Sequence, residues 1–218
     1  MLASGNKHKF SEFADFFSRM EIFAEDKIEL FSAQDFPEIG TIEENGFSYE
    51  ENAAIKAFAW ANFAGIPALA DDSGLEVRAL GWKPGIHSAR ASPGSDADRT
   101  RWLLSRMENH GDRCARFVAC IVIAFPDNGK TGHGYFSSRG ICGGRIARAS
   151  KGREGFGYDP VFVPDGYDVT FAEMGSAVKS KISHRAIAMQ GVAHMLKSVI
   201  KYYAVRHSTH EGYGGLTI

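Results

Sequence analysis

Cysteine is scarce: three residues in 218, at positions 114, 120 and 142. An odd set without metal-type spacing excludes a disulfide framework and a zinc knot, and reads as reduced thiols. Cys120 falls inside the apolar run 117–125 and is expected in the core. No apolar stretch reaches the ~20 residues of a membrane span. No charged-then-apolar leader opens the chain, so the expected location is cytoplasmic. An excess of charge is also missing. Twenty-five Lys and Arg face 26 Asp and Glu, a formal net charge of −1. No global basic field points to a polynucleotide, and any phosphate binding must be local. Repeats, low-complexity blocks and linkers are absent. What remains is 44% hydrophobic and 23% charged, enough apolar material for one sizeable core.

Periodicity places the elements. Met1–Ser4 reads as the end of a strand, Gly5 as a turn and Asn6 as a cap. Phe10, Phe13, Ala14 and Phe17 recur at helical spacing, which predicts an amphipathic helix over Lys7–Met20. Lys27–Ser32 alternates as a strand, and Asp35–Asn45 is a polar loop. Ser48 and Glu51 form a capping box for a helix with an alanine face (Ala53, Ala57, Ala61, Ala64) that stops at Gly65. Pro67–Ala70 is a short strand delivering an acidic turn, Asp71–Gly74. A helix over Asp96–Met107 and a strand over Arg116–Phe125 follow. Thr131–Ile146 reads as strands and turns, and Gly152–Pro164 as a long loop. A final amphipathic helix spans Ile182–Tyr203, with Ile187, Val192, Leu196, Val199 and Tyr203 inward. Elements that interleave early and cluster as strands later predict an α/β fold on a mixed sheet.

Five stretches carry chemistry. In Ser4-Gly5-Asn6-Lys7-His8-Lys9, two lysines occupy the first turn of a helix, the end where the dipole disfavours cations. A phosphate would explain them, and a solvated helix start explains them about equally well. The glycine spacing and Lys-Ser/Thr pair of a P-loop are missing. Asp71-Asp72-Ser73-Gly74 suits Mg²⁺, which takes few carboxylates; alone, it fits a simple Asx turn slightly better. Alternation lets only one of the two acids aim into a cleft, unless the backbone kinks at Ser73-Gly74. Glu38 has no visible structural task and is a candidate metal ligand, and Lys56 stands alone on an alanine-lined helix. Glycines around Phe156 free the backbone to display its ring for stacking on a base, with Asp159 placed to read a base edge. Lys179-Ser180-Lys181-Ile182-Ser183-His184-Arg185 is read as a second cation-loaded helix start. Together these features favour a nucleotide cleft.

The pieces SGNKHKFSEF from Ser4, ENAAIKA from Glu51, ALADDSGLEV from Ala68, PGIHSAR from Pro84, EGFGYDPVFVP from Glu154, TFAEM from Thr170 and ISHRAIA from Ile182 stand in one order. Joined, they resemble the inosine/xanthosine triphosphate pyrophosphatase family over about residues 1–200. The resemblance implies hydrolysis of ITP, dITP and XTP to the monophosphate and pyrophosphate, with Mg²⁺. It implies a long twisted mixed sheet flanked by helices, two lobes around a central cleft, and a homodimer. Carried over by position, Ser4, Asn6, Lys9 and Lys56 hold the triphosphate, with Ser73 and Arg90 as further contacts. Glu38 and Asp72 bind metal, and Asp72 is also the general base. Asp71 is left open between second ligand and structural partner. Phe156, Gly157, Tyr158 and Asp159 form the base-stacking loop, and Lys179, His184 and Arg185 read the purine. One domain is expected over residues 1–205, with a frayed tail over 206–218. The alternatives are a pyrophosphatase for modified pyrimidine nucleotides and a sensor without turnover.

Overall fold

The apolar run of the third strand organises the molecule. In the computed structural model, β1 (Ala68–Val77), β2 (Lys83–Pro84), β3 (Cys114–Ala124), β4 (Tyr135–Ile146) and β5 (Phe162–Pro164) form one sheet. Its order is β2-β1-β3-β4-β5. The structure describes residues 1–4, 6–20, 30–36, 39–127 and 134–207, with side chains through residue 196. All pairs between these strands are antiparallel. A parallel contribution comes from Leu2, which bridges Leu69 and Ser32. The expected strand at Lys27–Ser32 lies mostly outside the described residues. Among those residues, no helix is long and apolar enough to cross a membrane.

The helices are α1 (Lys7–Ser18), α2 (Tyr49–Ala64), α3 (Asp96–Arg106), α4 (Phe171–Met174), α5 (Ser176–Ile182) and α6 (His184–His207). Asn6 caps α1 by accepting from the His8 and Lys9 amides. Ser48 caps α2, which ends on Gly65 in the left-handed region at φ 70°. The expected capping box is altered: Glu51 reaches back to the amide of Phe47, not of Ser48. The alanine face behaves as predicted. Ala53, Ala57 and Ala61 are fully buried with Ala68, Ala70, Val122 and Ala124, so α2 lies close on one face of the sheet.

The opposite face carries two apolar clusters. One gathers Leu75, Phe117, Phe162 and Phe171, the other Phe13, Phe17, Ile121, Met189 and Val192. Between them β1 presents Asp71 and Ser73, and the cleft opens over this polar gap.

Several sequence expectations change. Asp71–Gly74 is not a turn but the middle of ten-residue β1, paired with β3 from Asp71↔Ile121 to Gly74↔Val118. The β3 run is long enough to hold all four residues extended, so no kink forms. Within Thr131–Ile146 the described residues hold one strand, Tyr135–Ile146, and residues 131–133 lie outside them; Gly152–Pro164 contains the short β5. Lys179 and Lys181 lie in the last turn of α5, where the helix dipole favours them, not at a helix start. Only His184 and Arg185 open a helix. In α6, Ile187 is exposed while Ala186, Ala188, Met189 and Val192 are buried. The small face turns inward because α6 approaches β4 at backbone distance. A Cβ on Gly140 would stand 2.0 Å from the His184 carbonyl oxygen. The tail is expected from Arg206, but α6 runs through His207, and residues 208–218 lie outside the described ones.

Candidate active site

Strand alternation separates the two aspartates, as the sequence requires. Asp71 and Ser73 face α1 and α6. Lys9, in the first turn of α1, places its ammonium 2.6 Å from Asp71 Oδ2. Arg185, in the first turn of α6, donates to the same oxygen from Nε and Nη2 at 3.3 Å, and to Ser73 Oγ at 2.9 Å. Its Nη1 pairs with Glu12. Glu12 also meets Lys179 Nζ at 3.0 Å. Burial alone would raise the Asp71 pKa, but Arg185 and Lys9 outweigh it and hold the carboxyl well below its ordinary value. For Lys9 burial wins over Asp71, and the pKa is lowered. Asp71 is thus the shared counter-ion of two cations, on the far face of the strand from Asp72.

Asp72 faces α2. Asn52 Nδ2 donates to its Oδ2 at 3.2 Å, and Lys56 Nζ stands 3.5 Å from Oδ1. Asn52 and Lys56 are four residues apart, hence on one helix face. Lys56 also donates to the Asp71 carbonyl at 3.0 Å and pairs with Glu44 at 3.1 Å. Burial raises the Asp72 pKa; Lys56 opposes this, and Glu44 adds to it. Asn52 and Glu44 were not singled out from the sequence. The i, i+4 spacing in ENAAIKA could have flagged Asn52. Glu44 sat unmarked in a polar loop.

A cavity of about 200 Å³ lies beside Asp71, lined by Asn6, Lys9, Ser73, Phe156, Lys179 and Arg185 among others. Phe156 forms part of its wall. The His8 ring stacks on Phe156 at 5.4 Å, and Lys179 Nζ lies 4.5 Å from the ring centroid. Lys179 is buried and bound to Asp159 Oδ2 at 2.7 Å. The Asp159 pKa is raised because burial exceeds that pairing. Gly157 has φ +63° and Gly155 φ +80°, the conformations that require glycine on either side of the ring. Tyr158 is buried, and its hydroxyl donates to the Ser88 carbonyl at 3.0 Å.

The remaining expected residues are dispersed. Ser4 Oγ accepts from the Asn6 amide at 3.2 Å. Arg90 does not join the cavity lining; it is exposed and donates to His87 Nδ1 at 3.2 Å. Gly5 and Glu38 lie outside the described residues. His184 is buried against Phe117, ring centroids 4.6 Å apart, and its Nδ1 has no hydrogen-bond partner among the described residues.

Burial, helped by Arg185, holds His184 neutral by lowering its pKa well below 6.5. The unfolded chain takes up a proton below that value and the folded chain does not. Stability from this group is therefore full above pH 6.5 and lost as pH falls below it, by up to about 1.4 kcal/mol per pH unit. Urea melts between about pH 7.5 and about pH 5 should show a shallower acid decline for His184→Gln than for the parent. Equal declines would mean that His184 does not stay neutral on folding.

A buried carboxylate, paired cations and a displayed aromatic around one cleft define a nucleotide-handling α/β protein. Residues 1–195 match the Ham1 family, and the chain belongs to it. It is 47% identical over 148 residues to a dITP/XTP pyrophosphatase of Deinococcus radiodurans, covering 67% of this chain and 72% of that one. To the dITP/XTP pyrophosphatase of Desulfotalea psychrophila it is 39% identical over 210 residues, covering 95% and 89%. The solved HAM1 protein of Coxiella burnetii superposes with a TM-score of 0.77 at 34% identity, covering 90% of this chain and 97% of that one.

Proposed function

We infer that this chain hydrolyses ITP, dITP and XTP to the nucleoside monophosphate and pyrophosphate. The observation that carries this reading is the cleft over Asp71, walled by the Phe156 ring and by Lys9, Lys179 and Arg185. It has an aromatic face for a base and cations for phosphates. The names of the relatives agree with it.

The chemistry needs a base, a water and relief of phosphate charge. Asp72 takes a proton from the attacking water. The water oxygen bonds to the α-phosphorus, the bond from that phosphorus to the α,β-bridging oxygen breaks, and pyrophosphate leaves. Lys9 and Lys56 neutralise the departing charge, while Asn6, Ser4 and Ser73 orient the chain of phosphates. Phe156 stacks on the base. Donors on Lys179 or Arg185 pair with a 6-oxo group and are left unpaired by the 6-amino group of adenine, a mismatch able to discriminate up to ~10⁴-fold.

A divalent cation, Mg²⁺ by our reading, fits the oxygen donors on the Asp72 face. Among the described residues no cluster of three His, Cys, Asp or Glu stands ready for a metal. Two carboxylates do share one cation there, since Glu44 and Asp72 both lie on Lys56. Burial raises the Asp72 pKa beyond what Lys56 offsets, so a further cation there would favour the ionised carboxylate. Asp72 with Glu44 or Glu38 would hold the ion, and bound there it would polarise phosphate oxygens and lower the pKa of water. We assign Asp71 to Lys9 and Arg185 instead. Arg90 stays a secondary candidate for phosphate. A homodimer is our reading of the assembly, tested by light scattering on the eluted peak; a monomeric mass would refute it.

Steady-state kinetics with ITP, XTP, dITP, GTP, ATP and dTTP test the substrate class. We expect kcat/KM for ITP, dITP and XTP to exceed that for ATP and dTTP by at least about 100-fold. Comparable efficiency with dTTP would favour a pyrimidine enzyme, and tight ITP binding without pyrophosphate release a sensor.

A further inference from the structure

Helix α3 received no functional role from the sequence, yet its first turn grips the aromatic loop. Ser95 caps α3 and accepts from the Asp98 amide, which makes Asp96 the first helical residue. Asp96 Oδ2 accepts from the Gly157 amide at 2.6 Å. Thr100, one turn on and buried, donates from Oγ1 to the Gly157 carbonyl at 3.3 Å. The residues are i and i+4, so they present both groups on one edge of the helix. Asp96 is itself braced, because Arg99 pairs with its other oxygen and donates to the Gly94 carbonyl at 2.9 Å. The preceding peptide is held too. The Phe156 amide donates to Asp159 Oδ2 at 2.9 Å, and the Asp159 amide to the Phe156 carbonyl at 3.3 Å.

Two flanking glycines would leave the Phe156 backbone free to wander. Each hold removes that freedom before a ligand arrives, so less ordering is lost on binding. The Asp159 hold comes from within the loop. Asp96 and Thr100 come from another element and fix the loop relative to the sheet.

We propose that Asp96 and Thr100 are positioning residues for nucleobase recognition, setting the pitch of the Phe156 ring through the Gly157 peptide. The proposal rests on the reading of Phe156 as the base-stacking wall. Neither residue acts on the phosphates, so their loss acts on base binding and leaves phosphate handling alone.

The test uses the full chain with Mg²⁺ and the variants Asp96→Ala, Thr100→Val and Phe156→Ala. KM and kcat are measured with ITP, and Ki with inorganic tripolyphosphate, which has phosphates but no base. Asp96→Ala should raise the ITP KM by about fivefold to tenfold, within the loss expected for one intramolecular hydrogen bond. Its kcat should stay within about twofold, as for uniform binding lost in ground and transition states alike. Tripolyphosphate Ki should not move. Thr100→Val should act in the same direction, and Thr100→Ser, which keeps the hydroxyl, should restore the parent KM. Adding Asp96→Ala to Phe156→Ala should raise KM no further, because the ring it positions is gone.

An unchanged KM in Asp96→Ala, beside a raised KM in Phe156→Ala, would overturn the clamp and leave base stacking standing. An unchanged KM in Phe156→Ala would remove the stacking wall and the clamp with it. Parallel weakening of ITP and tripolyphosphate would mean general damage and would also overturn the proposal. If Asp96→Ala does not fold, the Thr100→Val and Thr100→Ser pair decides alone.

Discussion

Asp72→Asn is expected to lower kcat by ~10²–10⁴-fold, the range for loss of a general base. Binding of ITP measured without a divalent ion should change little, because Lys9, Lys56 and the Phe156 ring all remain. The substitution is isosteric and keeps an oxygen for the Asn52 amide, which now donates at 3.2 Å. The folded protein should not suffer. Burial raises the Asp72 pKa above its ordinary value, so the ionised carboxylate opposes folding at neutral pH. Removing its charge therefore leaves the melting temperature equal or higher, the pattern of a group kept for activity at a cost in stability. Single-turnover rates with ITP, equilibrium binding and a thermal melt check the three statements. Turnover near the parent rate would end the general-base assignment. A lowered melting temperature would mean that Lys56 depends on Asp72 more than Asp72 suffers from burial.

The sequence carried the separation of the two acids but not its setting. Period-two alternation put Asp71 and Asp72 on opposite faces whether or not a turn followed. That they sit in mid-strand depended on β3, whose pairing partner could not be read from one segment. Cap chemistry is local, and so the starts of α1 and α2 were legible at Asn6 and Ser48. The break between α5 and α6 was not, because Ser183 ends one helix and accepts from the Ala186 amide at 3.1 Å to begin the next. That break moved Lys179 from a helix start to a helix end. The grip on Gly157 was invisible for another reason: it joins residues 61 and 57 positions apart. Contacts of that range follow from packing, and no spacing rule announces them.

Asp71→Asn should do the reverse of its neighbour and cost stability first. The carboxyl is fully buried and sits under Lys9 and Arg185, which hold its pKa below the ordinary 3.8 despite burial. A depressed acid contributes stability above its unfolded pKa and loses it as pH falls toward the folded value. At neutral pH the whole contribution is present. Among the described residues, neutralising Asp71 leaves Lys9 with no carboxylate and Arg185 with Glu12 alone, and breaking a buried pair on one side costs about 3–5 kcal/mol. At roughly 2–4 °C per kcal/mol for a chain of this size, the melting temperature should fall by about 10 °C. The acid-side decline in stability should flatten, since the variant has no carboxyl there to protonate. If Lys9 serves the triphosphate, the freed ammonium gives a second signature. Inorganic tripolyphosphate should raise the melting temperature more in Asp71→Asn than in the parent, because the anion replaces the charge removed from beneath Lys9. A fall of less than about 2 °C would show that Asp71 is not the counter-ion of the cleft. A large fall with no added effect of tripolyphosphate would separate the two roles, leaving Asp71 structural and Lys9 without a phosphate to hold.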